Sequence, residues 1–225
     1  MKYTNAENEH HTENLSLYQM DCMELLKQTP DNYYDICICD PPYGGNDAIN
    51  LKDCKNSTKQ ATDRSSYKEF ENVEPPKEYF DELMRASKKQ IIWGANFYKN
   101  VNLHGGRLVW DKKGTAFGRA EEAYLSMTKS VNIFEFTWNG MIQQNMKDKE
   151  KRIHSCQKPV KLYDFLLNNY AEKGQKILDT HLGSMSSAIA CHYYGAHLTG
   201  CELDADYFKA GIERVEAETR QLTLL

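Results

Sequence analysis

Residues 34–43, Tyr34-Asp35-Ile36-Cys37-Ile38-Cys39-Asp40-Pro41-Pro42-Tyr43, constrain this chain more than any other stretch. A short apolar, β-compatible run ends in a double proline, the pattern of one strand in a sheet covered on both faces. Ligands of such sheets bind at the carboxyl ends of the strands, so chemistry is expected where this strand meets Asp40. Pro41 and Pro42 fix φ twice and carry no N–H, which leaves carbonyls there without a local donor and free to accept from a ligand. Asp40 adds a carboxylate acceptor, and Tyr43 a flat π face. Two acceptors beside a stacking ring suit a planar heterocycle with an exocyclic amino group.

A second signature lies far downstream. In Lys176-Ile177-Leu178-Asp179-Thr180-His181-Leu182-Gly183-Ser184-Met185-Ser186-Ser187, an apolar strand gives way to an acid, a Gly-Ser turn and a helix of small residues. That is how a βαβ unit lets its backbone approach a nucleotide-like ligand. After the strand 197–201 stands Glu202, an acid suited to a ribose with free hydroxyls.

Taken together, Asp40-Pro41-Pro42-Tyr43 and the loop from Asp179 to Ser184 resemble the amino-methyltransferases of DNA. The catalytic motif precedes the cofactor loop here, which resembles the β class of N6-adenine and N4-cytosine enzymes, including small ones carried by phages and mobile elements. The resemblance covers residues 17–215 and implies an α/β, Rossmann-like methyltransferase fold, a mostly parallel sheet with helices on both faces. It implies S-adenosylmethionine as cofactor and double-stranded DNA as partner, with methyl transfer to N6 of a flipped-out adenine at a specific site, as in restriction-modification. Asp40, Pro41, Pro42 and Tyr43 take the catalytic places. Asp21, Cys22, Asp179, Thr180, Gly183, Ser184 and Glu202 take cofactor places, and Lys158, in His154-Ser155-Cys156-Gln157-Lys158-Pro159, caps the cofactor's methionine end. Segments 93–96, 110–112 and 121–124 line the side where the target base enters.

The family's loop often reads Gly-Ser-Gly where this chain has Gly183-Ser184-Met185, and Thr180-His181 replace the commoner Pro-Phe. A helix starting here with Ser184 as its N-cap would let Met185 point away from the ligand. The same chemistry also suits N4 of cytosine, RNA or a glutamine amide, and a catalytically silent nucleic-acid-binding partner would keep the fold. An NAD-dependent enzyme would share the turn and Glu202 but has no use for Asp40-Pro41-Pro42-Tyr43.

At 225 residues the chain suits a single domain, 1–225. No apolar run approaches a membrane span and the first residues are polar, so a cytoplasmic protein is expected, as monomer or homodimer. Seven cysteines without ligand spacing read as core thiols, with no disulfide and no metal. A net charge of −4 requires any phosphate-binding lysines to be clustered, as in residues 147–154, which read equally as a solvated loop. Residues 1–14 read as a loose lead-in and the polar run 44–73 as a mobile loop over the site, with Lys52, Lys55, Lys59, Arg64 and Lys68 available to DNA. Strands are expected at 15–20, 90–94, 107–111, 121–127 and 133–136, and helices at 75–86, 159–170 and 205–220. Asp21, after the first of these strands, doubles as a helix N-cap.

Overall fold

The computed structural model describes residues 1–44, 72–114, 119–139 and 142–220. In chain order these form β1 (Asn8–His11), β2 (Leu15–Gln19), α1 (Cys22–Gln28), β3 (Ile36–Cys39), α2 (Lys77–Ala86), β4 (Gln90–Trp93), β5 (Gly106–Asp111), β6 (Ala120–Leu125), β7 (Val131–Glu135), α3 (Val160–Tyr170), β8 (Lys176–Asp179), α4 (Ser186–Tyr194), β9 (His197–Glu202) and α5 (Ala205–Arg220). The strands make one sheet of order β1-β2-β9-β8-β3-β4-β6-β5-β7. The run from β2 to β4 is parallel throughout, while β1 and β6 are antiparallel to their neighbours. The carboxyl ends of β2, β9, β8, β3 and β4 therefore share one edge, and Asp40 and Asp179 leave the sheet on it.

Strand parity builds two cores. Leu15 and Leu17, Ile36 and Ile38, Ile91 and Trp93, Ile177 and Leu198 point to one face, where Leu162, Leu166, Ile189, Phe208 and Val215 of α3, α4 and α5 cover them. The alternate residues Tyr18, Cys37, Cys39, Ile92, Leu178 and Cys201 meet Leu25, Leu26, Tyr79, Phe80 and Leu83 of α1 and α2. A strand buried on both faces needs apolar side chains at every position, which is why residues 36–39 show no polar alternation. Because β6 runs against β4, its first residues arrive at the carboxyl edge beside Trp93, and the Trp110↔Glu121 register brings the end of β5 there as well. No helix among the described residues is long and apolar enough to cross a membrane.

One expectation changes. The first fourteen residues are not a loose lead-in, since β1 pairs along β2 and Tyr3 is buried, its hydroxyl bonded to Thr29 Oγ1 at 2.9 Å and to Tyr34. An edge strand held by backbone bonds needs no apolar alternation, and one anchoring ring leaves no periodic trace. The polar run 44–73, with its five basic residues, lies outside the described residues apart from its ends.

Candidate active site

Asp40 follows β3 in phase with Ile36 and Ile38, so its carboxylate emerges on the α3–α5 face of the sheet. Tyr43 donates its hydroxyl to Asp40 Oδ1 at 2.7 Å, and Lys158 donates its ammonium to Asp40 Oδ2 at 2.5 Å. The same ammonium lies 3.0 Å from Glu121 Oε2 and 3.1 Å from the Tyr43 hydroxyl. Glu121 also accepts from Lys112. The Lys158 nitrogen sits 5.1 Å from the Trp93 ring centroid, and that of Lys112 sits 4.6 Å from the Trp110 centroid. Two carboxylates and two ammoniums thus balance inside an aromatic frame. Burial pushes the Glu121 carboxyl up, but Lys158 and Lys112 outweigh it and hold it near 2. Burial works against the Lys158 charge, and Asp40 and Glu121 together raise its pKa above the ordinary lysine value.

The Tyr43 ring lies parallel to Phe97, with centroids 5.0 Å apart, so Phe97 already covers one of its faces. Gly94, at φ +74°, lets the backbone pass close to that ring; a Cβ there would come within 2.3 Å of Tyr43 Cδ1. The expectation that the Pro41 carbonyl lacks a local donor is corrected, because the buried Tyr98 hydroxyl reaches Pro41 O at 3.0 Å and Trp93 O at 2.8 Å. One hydroxyl proton serves only one of these at a time, so Pro41 O keeps acceptor capacity. Pro42 is half-buried beside it. A cleft of about 510 Å³ opens past the two rings, lined by Tyr43, Phe97, Asn72, Asn96 and Lys99 among others.

On the β8 side no described lysine or arginine pairs with the acids. Asp179 is 1% exposed, accepting from Ser187 Oγ at 2.6 Å and from His181 N at 3.0 Å. Burial raises its carboxyl to about 7 against those bonds, with Asp40 and Glu202 adding to the rise. Glu202 ends β9 and accepts from Gly183 N at 2.8 Å and from Asp204 N at 3.0 Å, and burial raises it too. Thr180 is buried, its hydroxyl 2.7 Å from that of Tyr79. Asp21 caps α1 through Met23 N and Glu24 N, and the half-buried Cys22 begins that helix, its thiol pushed up to about 12 by burial. Gly183 sits at φ +49°, and a Cβ there would meet the His154 ring in van der Waals contact at 3.8 Å.

Ser184 does not cap the helix. α4 starts at Ser186, and Met185 itself occupies the cap position, left-handed at φ +59° and without a side-chain cap bond. Its side chain is 0% exposed and lies against Gly211 of α5, so the strain of that φ is offset by burial, and the side chain points into the core.

Lys158 stands with Asp40 and Glu121, and its carbonyl meets the β8 loop, accepting from Ser186 Oγ at 2.7 Å. Buried Arg214 of α5 continues that link, donating to Ser184 O at 2.7 Å and to Glu150 at 2.8 Å, while Glu150 accepts from Val160 N at the start of α3. Glu150 thus turns inward from the charged run 147–154. Neither Glu121 nor Lys112 was singled out from sequence, yet both were within reach: Glu121 is in phase with buried Ala123 and Leu125, and Lys112 with Leu108 and Trp110. A charged residue in phase with core residues is the signal.

A family model described as DNA methylase (N6_N4_Mtase) matches residues 88–213, more than half of the chain. The type II methyltransferase M.HinfI of Haemophilus influenzae is 24% identical over 240 residues, spanning 87% of this chain and 66% of that enzyme. Among solved structures, the PvuII DNA methyltransferase (cytosine-N4-specific) is similar over 96% of this chain and 94% of its own, at TM-score 0.62 and 14% identity. M1.HpyAVI in complex with SAM is similar over 89% and 99%, at TM-score 0.56 and 16% identity. At these identities the structural likenesses are likenesses of fold.

Proposed function

Because the chain belongs to the N6/N4 family of DNA methylases, we propose that it moves a methyl group from S-adenosylmethionine to N6 of an adenine turned out of double-stranded DNA at a specific sequence. The observation that carries this reading is the pairing, on one sheet edge, of Asp40 beside aromatic rings with a cradle of acids that no lysine or arginine among the described residues neutralises. Such a donor set fits the cofactor. Asp179 and Glu202 are acceptors for its ammonium and ribose hydroxyls, Asp21 stands at the neighbouring strand end, and Gly183 at φ +49° carries no side chain between them. Thr180, Ser184 and the backbone of Cys22 complete that wall.

S-adenosylmethionine supplies an electrophilic methyl group when bound. The protein's task is the nucleophile, because an aromatic amine has its lone pair spread into the ring. Asp40 and Pro41 O accept the two amine hydrogens and draw the nitrogen toward tetrahedral geometry, aiming its lone pair. The base must leave the duplex stack for this to happen. Tyr43, whose hydroxyl is bonded to Asp40, and Phe97 give this side an aromatic wall on which a base can stack. Pro42 keeps Asp40 and Tyr43 in fixed relation.

Adenine is preferred to cytosine because the motif begins with Asp40; in the cytosine enzymes it commonly begins with Ser. Incubation with methyl-labelled cofactor and DNA, followed by nucleoside analysis, tests the reading. N6-methyladenine is expected, and Asp40→Asn should lower its formation by about a hundredfold or more while cofactor affinity is kept. Label only in N4-methylcytosine, or full turnover by Asp40→Asn, overturns the assignment.

A further inference from the structure

Both oxygens of Asp40 are engaged in the structure, Oδ1 by the Tyr43 hydroxyl and Oδ2 by the Lys158 ammonium. That ammonium is 5% exposed, an N–H donor lodged on the carboxylate to which the target amine must donate. The conflict is electrostatic as well as spatial. The amine nitrogen uses its lone pair to form the new N–C bond while the C–S electrons return to sulfur. Positive charge then rests on the nitrogen until one of its protons leaves to solvent. A lysine held on the same oxygen opposes that charge as it develops.

A second acceptor is within the same reach. Glu121 Oε2 lies 3.0 Å from the Lys158 nitrogen and 3.5 Å from the Tyr43 hydroxyl, and the Lys158 carbonyl is fixed by Ser186. The side chain can therefore change carboxylates while its backbone stays in place. Lys112 holds Glu121 from its other oxygen, so the receiving carboxylate is itself oriented. We propose that Lys158 keeps the amine's place on Asp40 until the target base arrives, and that Glu121 then takes over its ammonium, which makes Glu121 a positioning residue for methyl transfer. The inference rests on the reading of Asp40 as the amine's acceptor.

The two readings are separable in one set of single-turnover experiments, run with saturating DNA and cofactor on wild type, Asp40→Asn, Glu121→Gln, Lys158→Met and the Glu121→Gln/Lys158→Met double variant. Glu121→Gln is expected to lower the transfer rate by about tenfold or more with cofactor Kd within about twofold of wild type. In the Lys158→Met background the same change should cost less than about threefold, because there is no ammonium left to receive. Glu121→Asp should recover part of the rate, and it serves as the measured variant if Glu121→Gln fails to fold. A Glu121→Gln enzyme as fast as wild type, or one whose loss is the same with and without Lys158, overturns the exchange while leaving the methylation reading intact. An Asp40→Asn enzyme that keeps its rate removes both.

Discussion

Two pairs of acids stand on the same sheet edge and are buried by opposite means. Asp40 and Glu121 share Lys158, and Glu121 also pairs with Lys112, whereas Asp179 and Glu202 are held by backbone N–H groups and a serine hydroxyl. In the first pair charge meets charge, and Glu121 is held near 2. In the second, neutral donors do not offset desolvation, and Asp179 rises to about 7. The consequences for stability have opposite signs. Glu121, depressed below its ordinary 4.5, stabilises the fold above that pH and loses its contribution as pH falls toward 2. Asp179, raised above 3.8, burdens the fold increasingly as pH climbs from about 4 to about 7. One side carries its own cations; among the described residues the other has none, which is what a ligand bearing an ammonium group would provide.

The largest test of this contrast is Lys158→Met, which leaves Asp40 without its cation and Glu121 with only Lys112. Chemical denaturation at pH 7 should show a loss of about 3–5 kcal/mol. A variant as stable as wild type would mean the ammonium contributes nothing, and the contrast would collapse. On the other side the sign reverses. Asp179→Asn keeps an acceptor for His181 N and can donate to the Ser187 hydroxyl, so the protein without cofactor should gain roughly 2–4 kcal/mol at pH 8. That gain should fade as the pH is lowered to 4. Urea unfolding at the two pH values measures it, and a pH-independent effect would show that Asp179 is not the titrating group. The smallest change sharpens the contrast, because Asp21 is exposed and holds only the α1 N-terminus. Asp21→Ala should cost about 1 kcal/mol by thermal melting, the ordinary value of a lost cap.

Much of the frame can be read from residue order. Ile36, Cys37, Ile38 and Cys39 are apolar on both faces, so their strand had to lie inside the sheet, and Asp40 had to emerge at its end. The shared edge with Asp179 follows from parallel strands joined through helices. The destination of Lys158 does not follow. It reaches Asp40 across 118 positions of sequence, through a long side chain whose direction no periodicity records. Glu121 was expected only as part of a segment lining the base, and its parity with Ala123 and Leu125 is the clue that was passed over. At Met185 the local signal pointed the wrong way: a serine before a run of small residues looks like a cap. Instead Met185 N donates to Leu182 O at 2.7 Å, a turn that ends on the left-handed residue. Tyr3 escaped notice because a single anchor has no pattern.

Met185 and Gly211 occupy what is physically one volume. A Cβ on residue 211 would lie 2.7 Å from Met185 Cγ and Sδ, so any larger residue there would have to displace the methionine side chain. Restoring glycine at 185 would vacate the space and admit alanine or serine at 211. Relatives of this chain should accordingly inherit the two positions as a linked pair. The methionine in the loop after β8 is then accommodated by a second site, and that site lies on α5.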